Sequence, residues 1–97
     1  MAVRAMDLVH PGRVLAREIK ARKMSANALA LKIRVPANRI TAIINGERAI
    51  SPETALRLGR YFGTGASLWA RMQASYDLAK TEAEVGEKIA KEVECAV

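Results

Sequence analysis

The apolar residues of this chain recur at helical spacing and fall into separate groups. Val14, Leu15 and Ile19 make one stripe, and Leu29 and Ile33, with small Ala30 between them, make a second. Ile40, Ile43 and Ile44 stand at i, i+3 and i+4, so a third helix has one apolar face. Ala55, Leu58, Gly59 and Phe62 give a fourth stripe, and Leu68, Trp69, Met72 and Tyr76 a fifth. β-branched residues are not clustered, and Ala, Leu, Arg, Lys and Glu dominate, a composition that favours helices. The pattern predicts an all-α domain.

The residues between the stripes punctuate them. Pro11 suits a first helical turn, where its missing N–H costs nothing, and His10 before it reads as a cap rather than a ligand. Ser25 is the expected N-cap of the second helix. Asn45-Gly46 reads as a left-handed stop for the third. Ser51-Pro52-Glu53 starts the fourth: Ser51 caps, Pro52 takes the first turn and Glu53 suits the positive end of the helix dipole. Gly63 stops that helix and the fifth begins near Ala66. Beyond Ala79, Val85, Ile89 and Val93 are spaced by four among Glu and Lys, but Gly86 interrupts them. This end reads either as a sixth, C-terminal amphipathic helix that docks a partner or steadies a dimer, or as a frayed tail.

The stretch Ser25–Gly46 organises the rest. It reads as two short helices, Ala26 to about Ile33 and Pro36 to Asn45, joined by a tight turn. Ala30 is small where two helices would cross closely. Opposite the isoleucine face stand Asn38, Thr41 and Asn45, with Arg39 on the flank, side chains of the right length for base edges and phosphates. That combination is a helix-turn-helix with Pro36–Asn45 as the recognition helix. Any two amphipathic helices with a short link share this outline, so charge has to help decide. Asn27, at the start of the second helix, sits where backbone N–H groups can meet a phosphate. Lys32, Arg34 and Arg48 add cations around the motif. Arg34 occupies a turn position that favours glycine. A side chain in the left-handed conformation costs roughly 1 kcal/mol there. Either the strain is tolerated for a phosphate contact, or the turn has a different shape.

Ninety-seven residues allow one small domain. The net charge of +6 is unevenly spread. Residues 1–75 hold thirteen Lys/Arg against four Asp/Glu, whereas residues 76–97 hold three against six. A basic body is the footprint of a polyanion binder, and the acidic end fits a solvated helix or a basic protein partner. We divide the chain into a flexible arm over 1–9 with Arg4 its only base, a binding and dimerisation domain over 10–80, and an acidic segment over 81–97. Cys95, the one cysteine, has no internal partner and is compatible with a reducing cytosol. There is no membrane-length apolar run and no signal-peptide pattern. With one histidine, no Cys/His metal spacing, no phosphate-cradling glycine loop and no nucleophile–base set, the sequence offers no catalytic residues, metal site or cofactor.

The strings HPGRVL, ALALKIRVPANRITAIINGERAIS, ETALRLGRYFGT and LWARMQASYDL resemble the HigA-type antitoxins, also called plasmid-maintenance antidote proteins, of the bacterial XRE helix-turn-helix family. The resemblance covers about residues 10–80. Its most specific part is the set Trp69, Gln73, Tyr76, Asp77 and Leu78. It implies a five-helix, lambda-repressor-like domain, a homodimer on double-stranded operator DNA, and a small basic toxin partner of the mRNA-cleaving HigB/RelE class. It also implies repression of the protein's own promoter and a bacterial cytoplasmic, nucleoid-associated location. By position in the motif, Ala37, Asn38, Arg39 and Thr41 fall where such repressors read bases. Asn27, Lys32, Arg34, Asn45 and Arg48 are the phosphate candidates. Leu68, Trp69, Met72 and Tyr76 are either core or a dimer seam. The chain departs from the family at Arg13, where Glu is usual, at Arg34, where Gly is usual, and at Gly65–Trp69, where Ser-Pro-Glu-Phe-Trp is usual. A solitary regulator with the same DNA binding and no toxin is the alternative.

Overall fold

The computed structural model describes residues 8–97, so the arm, apart from Leu8 and Val9, lies outside the described residues together with Arg4. Among the described residues there are five helices and no strand: α1 (Pro11–Ala21), α2 (Ala26–Ile33), α3 (Ala37–Ile44), α4 (Pro52–Phe62) and α5 (Ala66–Glu92).

Three of the five helices, α1, α2 and α4, start at a side-chain cap. The His10 Nδ1 accepts from the Gly12 N–H at 2.9 Å, with Pro11 in the first turn of α1. Ser25 Oγ accepts from the Ala28 N–H at 3.0 Å, and Ser51 Oγ from the Thr54 N–H at 3.2 Å. Pro36, expected as the first residue of α3, is its N-cap in extended geometry, and Asn45 is its C-cap. Gly46 then takes the left-handed conformation, and its N–H bonds to the Ile43 carbonyl. At α5 Gly65, at φ 82° and ψ 158°, caps without a side-chain bond, where the family usually has Ser-Pro-Glu.

The apolar stripes meet in one core. Leu15, Leu29, Ile40, Ile43 and Leu58 are completely buried, and Ile19, Ile33, Ile50 and Trp69 nearly so. Ala30, 2% exposed, keeps α2 and α3 close. Gly12 is required for the same reason: a Cβ there would overlap the Ile43 carbonyl, so the first turn of α1 sits against the end of α3. One buried polar bond ties α5 to the body, and two partly buried ones steady the side chains around it. Gln73 Oε1 accepts from the Ile50 N–H at 2.8 Å, and its Nε2 donates to Asp77 at 3.0 Å. The Trp69 indole N–H donates to Thr64 Oγ1 at 3.0 Å.

The expected sixth helix is not separate. Residues 66–92 form one unbroken helix of 27 residues that runs through Gly86. The Ala-, Glu- and Lys-rich sequence around Gly86 outweighs the roughly 1 kcal/mol that one glycine costs a helix interior. Ala79 is the last buried residue of α5. The remainder projects from the body, giving extents of 49 × 22 × 21 Å.

Candidate nucleic-acid interface

The third helix divides as its sequence predicted. Ile40 and Ile43 go to the core, while Ala37, Asn38, Thr41 and Asn45 are exposed. Asn38 presents a carbonyl and an amide, the pair that suits adenine in a major groove. The Thr41 hydroxyl donates to the Ala37 carbonyl at 3.2 Å, which leaves its oxygen lone pairs and its methyl for a base edge.

Arg39 is placed differently from these. Its side chain is 23% exposed, and Nη1 turns toward Glu53 Oε1 at 3.4 Å. Its Nε is buried and has no hydrogen-bond partner among the described residues. Glu53 also meets Arg57 Nε at 3.4 Å, and Arg57 Nη1 donates to the Ile33 carbonyl at the end of α2 at 3.0 Å. This chain of contacts through Arg39, Glu53 and Arg57 was not read from the sequence. The i, i+4 spacing of Glu53 and Arg57 signalled one of its links.

The phosphate candidates lie at the surface. Asn27, Lys32, Asn45 and Arg48 are all exposed. Arg34 has φ 59° and ψ 51°, so the left-handed turn is retained without glycine. The alternative of a differently shaped turn is thereby removed. Arg34 shares a shallow groove with Lys32, Arg57 and Arg60, floored by Ile33, Leu56 and Tyr61.

The candidate seam residues separate. Trp69 belongs to the core, 1% exposed, and packs against Phe62 with centroids 5.7 Å apart. Met72 is half-buried against the same core, and Tyr76 is half-buried. Leu68 is 45% exposed. With Val9, Val14 and Met72 it lines an apolar groove between α1 and α5, with Arg17 and Arg71 beside it. Burial pushes the His10 pKa below its ordinary value; Asp77 opposes this and Lys80 reinforces it. The neutral ring is the form whose Nδ1 can accept from Gly12. Among the described residues, no three His, Cys, Asp or Glu side chains come together as a metal site. No described helix is long and apolar enough to cross a membrane.

A recognition helix with an apolar inner face and an amide- and hydroxyl-bearing outer face, set in a basic body, defines a helix-turn-helix regulator of the DNA-binding class. A helix-turn-helix family model matches residues 15–69. Virulence-associated protein I of Dichelobacter nodosus is 45% identical over 78 residues, 79% of this chain and 72% of that protein. The structure of an addiction module antidote protein of the HigA family from Coxiella burnetii is 46% identical. It superposes with a TM-score of 0.88 over 91% of this chain and 97% of that one. The Pseudomonas aeruginosa antitoxin HigA, solved with the higBA promoter, is 37% identical with a TM-score of 0.90 over 93% and 99% of the two chains. The chain belongs to the XRE helix-turn-helix family and, within it, to the HigA-type antidote proteins.

Proposed function

We propose that this protein is the antitoxin of a type II toxin–antitoxin pair. As a homodimer it binds its own operator, represses its own operon, and neutralises a small basic toxin of the HigB/RelE mRNA-cleaving class. The observation that carries the DNA half is the exposed polar face of α3 opposite fully buried Ile40 and Ile43. Two such helices, one per protomer, enter successive major grooves about 34 Å apart. Ala37, Asn38 and Thr41 lie toward base edges, while Asn27, Lys32, Arg34, Asn45 and Arg48 supply phosphate contacts. The apolar groove at Leu68 and Met72 is the seam where the two copies meet. The P. aeruginosa HigA structure with its promoter supports this reading. The location that follows is the bacterial cytoplasm, at the nucleoid.

The toxin half rests on family membership and on charge. Residues 77–94 carry six carboxylates against three lysines, most of them on the part of α5 beyond Ala79, a complement for a basic protein. A second reading, a solitary regulator without a toxin, is favoured by exposed Arg13 on α1, where the family usually has Glu. The deciding experiment is a gentle tagged pull-down from the native bacterium with intact-mass analysis. A stoichiometric small basic protein establishes the antitoxin; a clean homodimer, with the adjacent genes expressed, establishes the solitary regulator. Truncation after Lys80 then tests the acidic end, because undiminished toxin affinity would remove it from the interface.

A further inference from the structure

We infer that Arg39 is a positioning residue. Glu53 holds it against the body, and the pair sets how α3 presents Asn38 and Thr41 to DNA. The inference rests on the reading of α3 as the DNA-reading helix, and it assigns Arg39 a different role from the base contact its sequence position implies.

Three observations converge. The guanidinium is turned toward Glu53, with Nη1 3.4 Å from the carboxylate, and the side chain is only 23% exposed. Its Nε lies beneath the surface, where a base or phosphate cannot reach it in this conformation. Glu53 is itself tied to Arg57, whose Nη1 holds the last carbonyl of α2. One carboxylate in the first turn of α4 therefore joins α3 directly and α2 through one intermediary. Arg39 lies between Asn38 and Ile40 in sequence, so fixing its side chain resists rotation of α3 about its own axis. Rotation would move Asn38 and Thr41 away from their bases while leaving exposed lysines and arginines beside the phosphates. The pair should thus govern sequence discrimination and not bulk attraction to DNA.

The test uses the full-length protein with two duplexes, one from upstream of its own gene and one shuffled, each titrated over a range of salt. The variants are Arg39→Met, which keeps the buried stem, Glu53→Gln, and the double variant. The readout is the ratio of the two affinities, because removing a carboxylate near DNA raises binding to every duplex. Glu53, the outer member of the pair, is 65% exposed, so losing it costs the fold little and thermal unfolding should report folded protein in each case. The inference expects each single variant to lower the ratio about fivefold, which corresponds to about 1 kcal/mol. The double variant falls no further, and the shuffled duplex keeps its salt slope in Arg39→Met. A slope reduced by about one in Arg39→Met, with an unchanged or raised ratio in Glu53→Gln, would make Arg39 a direct DNA contact and overturn the inference. If the wild type does not prefer its own upstream duplex, the DNA-reading role of α3 fails first, and the positioning role falls with it.

Discussion

The imidazole of His10 stands edge-on to the ring of Tyr76, with centroids 5.0 Å apart and planes at 71°. The same imidazole caps α1 through Nδ1, and the position a side chain would take at Gly46 is 3.9 Å from its Cγ. One side chain therefore joins the start of α1 to the middle of α5, beside the turn that follows the recognition helix.

This junction makes stability pH-dependent. Burial lowers the folded-state pKa of His10, so the neutral ring is favoured by folding. Its contribution is complete above the ordinary histidine pKa of about 6.5 and is lost as pH falls through the lower folded value. Melting curves between about pH 7 and about pH 5 should show a larger loss for the wild type than for His10→Asn, which can still cap but does not titrate. Parallel curves would mean that His10 is not the responsible group.

Arg34→Gly should stabilise the fold while weakening DNA binding. The residue sits at φ 59°, a conformation in which a side chain costs roughly 1 kcal/mol. Relieving it should raise Tm by roughly 5 °C. If Arg34 also meets a phosphate, the salt slope of DNA binding drops by about one. A slope that does not change assigns the side chain no role at the backbone.

Asn38→Ala and Arg48→Ala should fail in different ways. Losing the Asn38 amide should relax preference at one base pair by roughly 1–3 kcal/mol and leave non-specific binding intact. Losing Arg48 should weaken all sequences alike and flatten the salt dependence by about one unit. Equal loss on specific and non-specific duplexes in both variants would contradict the division between base readers and phosphate contacts.

Gln73→Leu should destabilise by roughly 1–3 kcal/mol although it adds apolar surface, because the Ile50 N–H then has no acceptor. The bond it loses is buried and 2.8 Å long. Chemical denaturation of the variant measures the cost. Unchanged stability would show that the Ile50 N–H finds another partner.

The architecture was legible because each of the first four helices carries its own start or stop: His10-Pro11, Ser25, Ser51-Pro52, Gly46 and Gly63 all do locally what their chemistry suggests. The isoleucines of α3 revealed its inner face, and therefore its outer one, without any tertiary information. The continuity of α5 was misjudged because Gly86 weighs on local propensity, while the good helix formers on both sides act cooperatively. Whether Leu68 and Trp69 were core or seam could not be read, since adjacent helical residues point about 100° apart and only the placement of α4 decides which is covered. The hold of Glu53 on Arg39 was invisible for a related reason. It joins residues fourteen apart across a helix boundary, where no periodicity links them.

The unbroken course of α5 has a mechanical consequence. From Ala79, where burial ends, to Glu92 a straight helix rises about 20 Å, so its tip stands well clear of the body that carries α3. A partner that docks on residues 81–92, as the proposed function has it, would grip this lever and not the packed core.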